Sequence, residues 1–103
     1  MRVRNLPVAE REIQRVVSWY EGERPGLGFE FLAELASYYR LIEENPASFP
    51  KTETYSPRTR EIRRAVLSRF SYVIYYEVRP DEILVLAVSH SSRRPNYWRR
   101  RKE

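Results

Sequence analysis

The sequence predicts an α+β fold: an N-terminal strand, then a two-helix antiparallel hairpin packed on a small antiparallel sheet whose last three strands form a meander. Three observations lead there. Apolar residues recur with helical spacing from residue 8 to 44, the period becomes two beyond residue 60, and a proline-bearing stretch without period separates the two regimes. With 103 residues, 42% of them hydrophobic, the chain suits a single domain over 1–103 and is too short for two.

Residues 2–6 alternate weakly between polar and apolar, which predicts a short strand before Pro7. Ala9, Ile13, Val16, Val17 and Tyr20 fall three and four apart and predict a helix over 8–21. Glu10 and Glu12 lie near its start, where the helix dipole favours anions, and Gly22 offers an end. A second helix is predicted over 27–44, with Leu32, Leu35, Tyr39 and Ile42 along one side, flanked by Phe31, Tyr38 and Leu41. Asn45-Pro46 stops it, because the proline ring disfavours helical geometry at the preceding residue. The short Glu-Arg-Pro-Gly link makes the pair an antiparallel hairpin. Pro46, Pro50 and Pro57 make 45–59 a connecting loop.

Beyond the loop, Ile62, Arg64 and Val66 alternate with Glu61, Arg63, Ala65 and Leu67, and Phe70, Tyr72, Ile74, Tyr76 and Val78 with Ser71, Val73, Tyr75 and Glu77. Arg79-Pro80-Asp81-Glu82 reads as a turn, since Pro80 presets the backbone angle of the second turn position. The run Ile83 to Val88 is apolar on both faces, as in the middle of a sheet.

Composition removes several classes of function. Without cysteine there is no disulfide frame, thiolate nucleophile or Cys-based metal site, which favours a reducing cytoplasm, and one histidine excludes most His-rich metal centres. Gly22, Gly26 and Gly28 cluster at the helix link and build no phosphate-cradling loop, so neither cofactor nor metal is expected. No apolar stretch approaches a membrane span, and the N-terminus lacks a secretory signal; no membrane partner is expected. Charge is lopsided. Residues 1–56 carry 7 basic and 9 acidic side chains, residues 57–103 carry 12 and 5, and all the basic ones except Lys51 and Lys102 are arginines. Guanidinium pairs bidentately with phosphate or carboxylate, so the second half points to a polyanionic partner.

The tail, basic from about residue 92, holds the candidate site. His90, Arg93 and Tyr97 could supply an acid, a base and phosphate contacts to RNA cleavage; the plainer alternative is that His90 caps a strand end. Arg63 and Arg64 are strand neighbours and point to opposite faces, so one of them is open to an anion; the pattern does not choose between them. Phe70, Tyr72 and Tyr76 belong to the core, whereas Tyr75 faces away from it. Tyr97-Trp98 ahead of Arg99, Arg100, Arg101 and Lys102 reads as an aromatic anchor with a phosphate-seeking tail, or simply as a pin holding the C-terminus. The acidic pairs Glu43-Glu44 and Asp81-Glu82 read as solvated.

Taken in order, Pro-Val-Ala-Glu-Arg-Glu-Ile (7–13), Leu-Ile-Glu-Glu-Asn-Pro (41–46), Arg-Arg-Ala-Val-Leu-Ser-Arg-Phe-Ser-Tyr-Val-Ile-Tyr-Tyr-Glu-Val (63–78) and Ile-Leu-Val-Leu-Ala-Val-Ser-His-Ser-Ser-Arg-Arg-Pro-Asn-Tyr-Trp (83–98) resemble the RelE/ParE superfamily of toxins of type II toxin–antitoxin systems. The long second helix, the Asn-Pro stop and His-x-x-Arg-Arg-Pro look more like the ParE side, whose members are often labelled plasmid stabilisation proteins. The resemblance implies a toxin neutralised by a cognate antitoxin in a hetero-oligomer, inhibiting DNA gyrase by binding. Target contacts would come from Arg64, Arg93, Arg94, Trp98, Arg99 and Arg100. The alternative it implies is ribosome-dependent cleavage of mRNA, with His90, Arg93 and Tyr97 in catalytic roles. Against that stands Val73 in Tyr72-Val73-Ile74-Tyr75, where the RelE-like pattern has arginine. A third reading is a non-toxic nucleic-acid-binding domain.

Overall fold

The computed structural model describes residues 1–52, 60–94 and 97–102. Strand β1 spans Val3–Asn5, helix α1 Pro7–Glu23, helix α2 Leu27–Glu44, and strands β2, β3 and β4 span Glu61–Val66, Tyr72–Val78 and Ile83–His90; a 3-10 turn at Pro46–Ser48 follows α2. The strands form one sheet in the order β1-β4-β3-β2. β2, β3 and β4 are the expected antiparallel meander. β1 instead runs parallel to β4, with Val3 opposite Ile83 and Asn5 opposite Val85, so the sheet is mixed. A parallel neighbour needs a long connection, and α1, α2, β2 and β3 all lie between β1 and β4 in the chain. β4 lies inside the sheet, and Ile83 to Ser89 are all buried.

α1 starts at Pro7, whose fixed φ suits the first helical position, and runs through Gly22 to Glu23 rather than stopping at 21. The reversal between the helices uses a positive φ, and Gly26 supplies it at 91°. Gly28 permits close helix packing: a Cβ there would lie 2.8 Å from the carbonyl oxygen of Val17. That approach sets the rotation of α2. Its buried stripe is Gly28, Phe31, Leu35 and Ile42, while Leu32 and Leu41, expected inside or flanking, are 37% and 49% exposed. Ala9, Ile13 and Val16 of α1 complete the helical side of the core against Ile74, Tyr76, Leu86 and Val88. Tyr20, Phe31, Phe70 and Tyr72 form an aromatic cluster, with Phe31 edge-on to Phe70 at 5.4 Å.

Two further expectations change. Glu82 is not simply solvated: Arg4 donates to both its oxygens at 3.0 and 2.8 Å, because the parallel register seats Arg4 opposite Leu84. Part of the 45–59 connection is ordered along β2, where Arg64 N–H donates to Pro50 and Thr52 N–H to Ile62, each at 3.0 Å. The rest of that loop, with Pro57, lies outside the described residues. Among the described residues, no helix is long and apolar enough to cross a membrane.

The register of β3 on β4 shifts between Tyr75 and Tyr76, which face Ala87 and Val85, so Leu86 is the extra residue of a bulge. Past it, the Leu86 carbonyl and the Val88 N–H face the outer edge of β4, while both side chains stay in the core.

Candidate functional site

β1 is too short to cover that edge. Its last bond is Leu6 N–H to the Val85 carbonyl at 2.9 Å, whereas β4 continues to His90. Side chains take over beyond Val85. Glu12 Oε1 accepts the N–H of Val88 at 3.1 Å, and Arg101 Nη1 donates to the carbonyl of Leu86 at 3.0 Å. Arg101 Nη1 also donates to Glu12 Oε1 at 3.0 Å. The other carboxylate oxygen accepts the Tyr97 hydroxyl at 3.3 Å, and Arg93 Nη1 lies 3.7 Å from it. Glu12 is 8% exposed, a depth at which a carboxylate without partners would be strongly disfavoured. The guanidinium carbons of Arg93 and Arg101 lie 3.7 and 4.8 Å from the centre of the Tyr97 ring, within cation–π range. Burial pushes the Tyr97 phenol above its ordinary pKa, and the charge of Glu12 adds to that.

On the sheet face turned away from the helices, the tail is held by packing. Trp98 is 1% exposed and stacks on Tyr75 at 4.8 Å with 27° between the rings. Arg60 donates to the carbonyls of Arg99 and Arg101 at 2.8 and 2.9 Å while pairing with Glu77 at 2.9 Å. The Trp98 indole N–H has no partner among the described residues.

Register now separates the two strand arginines. Arg64 is opposite Tyr75 and exposed, on the face where Trp98 stacks. Arg63 turns toward the end of α2, bonded to Glu61 at 2.7 Å and to the Phe49 carbonyl at 2.6 Å. Other arginines of the second half are also engaged internally: Arg69 with Glu30, Arg79 with Glu77 and Glu82, and Arg60 and Arg101 as above. The outward cationic set is therefore narrower than the charge count. It comprises Arg64, Arg94, Arg99, Arg100 and Lys102, all exposed, together with Arg93, whose side chain is half exposed. Among the described residues, the guanidiniums of Arg64, Arg94 and Arg100 take part in no ion pair or hydrogen bond.

His90 is placed differently from Tyr97. Its ring meets Tyr72 edge-on at 5.3 Å, and its Nδ1 accepts the Ser92 N–H at 3.1 Å and lies 2.7 Å from Ser92 Oγ. It lines a shallow cleft of about 220 Å³ with Arg15, Arg93, Tyr72 and Glu12. No hydrogen bond joins His90 to Tyr97 among the described residues; one is tied to Ser92 and the other to Glu12. Pro95 and Asn96 lie outside the described residues. No group of three metal-ligating side chains occurs among the described residues.

Glu12, around which the candidates Arg93 and Tyr97 and the tail charge Arg101 gather, was not among the sequence candidates. Glu12 read as a helix-dipole acid and Arg101 as one more tail charge. A signal was present: Ala9, Glu12, Ile13 and Val16 fall at the spacing of one stripe, so an acid stood in an apolar row.

Comparison with known proteins gives one family. The sequence model of the family described as the ParE toxin of the type II toxin–antitoxin system parDE matches residues 3–95. Among solved structures, the chromosomal ParDE TA system from P. aeruginosa is similar in fold, with a TM-score of 0.72 at 13% identity over 87% of this chain and 95% of that one. No curated protein matches the chain.

Proposed function

Because the chain belongs to the ParE toxin family of type II toxin–antitoxin systems, we propose that it inhibits DNA gyrase by binding and that a cognate antitoxin neutralises it. The observation that carries this reading is the outward set of guanidiniums, with Arg94, Arg99 and Arg100 on the tail and Arg64 on the adjoining strand face. Arginines at such a surface meet carboxylates or phosphates of a macromolecule bidentately and steer its approach. A binding mode also accounts for His90 and Tyr97 being held by separate partners, since binding requires no acid and base around one scissile bond.

The antitoxin is expected over the helical layer. Phe29, Leu32, Ala33 and Ala36 are exposed at helical spacing on α2, and an amphipathic segment would cover that stripe.

Induction of the chain alone in cells tests the function. Loss of negative supercoiling with a DNA-damage response, both relieved by co-expressed antitoxin, is the expected outcome. Early translational arrest with messages cut at the ribosomal A site would replace this reading by mRNA cleavage, and undisturbed growth would replace it by a non-toxic binding domain.

A further inference from the structure

Among its described residues, the tail that carries the outward arginines has no helix or strand to hold it. Residues 97–100 form a turn, closed by Arg101 N–H to the Trp98 carbonyl at 2.9 Å. Such a segment pays a large ordering cost if it must find its bound shape on meeting a target. Two anchors remove that freedom here. One is Trp98 on Tyr75, which is apolar and fixes position. The other is Glu12, which fixes orientation, because its two oxygens are met by groups from both ends of the segment: Arg93 on one side, Tyr97 and Arg101 on the other.

We propose that Glu12 is the positioning residue of the toxin's cationic surface, a buried latch on α1 that occupies the bare edge of β4 and sets the tail so that Arg94 and Arg100 point outward together. This rests on the reading of that surface as the target-binding face. Several features fit a latch better than a stability device. An apolar side chain at position 12 would continue the stripe of Ala9, Ile13 and Val16, and would serve the core without the desolvation cost of a carboxylate. What only a carboxylate does here is accept the Val88 N–H while binding the Arg101 guanidinium, which in turn satisfies the Leu86 carbonyl. In effect the ion pair stands where β1 would have continued. It converts an exposed strand edge into the mount for the tail, and it draws Arg93 over Tyr97, leaving the neighbouring Arg94 exposed.

The test uses the full chain in a Trp19→Phe background, so that Trp98 alone reports the tail; Trp19 is 59% exposed and Trp98 is buried. In Glu12→Gln the amide oxygen can still accept from Val88, but the charge that holds the arginines is gone. The expected result is a red shift of Trp98 emission and faster hydrogen exchange of the Arg101 amide. Far-ultraviolet circular dichroism should be unchanged, and inhibition of gyrase supercoiling should weaken about tenfold, as expected when a pre-ordered charged contact must be ordered on binding. Arg101→Gln should give the same changes, and the double variant no more than either single one, since the two groups act as one unit. If Glu12→Gln fails to fold, Arg101→Gln asks the same question from the tail. An unshifted Trp98 with unaltered exchange overturns the latch, as does a released tail that inhibits gyrase undiminished. A wild-type chain that leaves gyrase active while Glu12→Gln still releases the tail refutes the gyrase reading and leaves the latch standing.

Discussion

Arg94 and Arg100 are exposed and their guanidiniums take part in no ion pair among the described residues, so their loss should touch binding and spare folding. Replacing both with Ala is expected to change stability by no more than about 0.5 kcal/mol, read as an unchanged melting temperature. Inhibition of gyrase should fall by about tenfold or more, since a charged hydrogen bond is worth about 1.5–3 kcal/mol. Arg93 is a different case. It stacks on Tyr97 and approaches Glu12, so Arg93→Ala should also loosen the tail, which is visible as faster exchange at Arg101.

At the level of elements, the central position of β4 and the close approach of the helices each make a claim that a substitution checks. Leu86 is wholly buried, and Leu86→Ala should cost about 2–5 kcal/mol in chemical denaturation through the cavity it leaves. Gly28→Ala puts a methyl 2.8 Å from the Val17 carbonyl and 2.9 Å from Glu21 Oε1, and the backbone contact cannot yield cheaply. A loss of about 1–3 kcal/mol is expected. Phe29 is 75% exposed, so Phe29→Asp should leave stability unchanged while weakening neutralisation by the antitoxin, measured as growth on co-expression.

For the molecule as a whole, buried phenols set the alkaline limit. Tyr76 donates to the Pro46 carbonyl at 2.6 Å, and burial pushes its pKa up to about 12; Tyr39, bonded to Asn5 at 2.6 Å, is raised by burial and then by the charge of Glu10. Below pH about 10 both phenols keep their protons in the folded and unfolded chains alike, and their contribution is intact. Above it the unfolded chain ionises first, so stability falls as pH rises from about 10 toward 12. Tyr76→Phe should flatten that slope in denaturation curves taken across this window.

Most of the architecture was legible because period and punctuation are local. The switch from helical to strand spacing, Asn45-Pro46 and the all-apolar run from Ile83 gave the elements, and the order of short segments gave the family resemblance. Relations between distant segments were not legible. Nothing local shows that β1 lies parallel to β4, so the pairing of Arg4 with Glu82 could not be read, nor could the bulge at Leu86 or the bond from the Val88 N–H to Glu12. The choice between Arg63 and Arg64 depended on the register with β3, which seats Arg64 beside Tyr75. Glu12 was the readable exception, an acid at an apolar position of a helix, and it leads directly to the tail.

An outward surface of arginines, mounted on the sheet, is proposed to bind gyrase as a macromolecule without chemistry. Titrating purified gyrase with the intact chain and with the Arg94→Ala, Arg100→Ala double variant, at matched melting temperature, tests it most directly. Saturable binding by the first that weakens with added salt is expected, with a loss of about tenfold or more in the second. Equal affinity of the two proteins, or no binding by either, would contradict it.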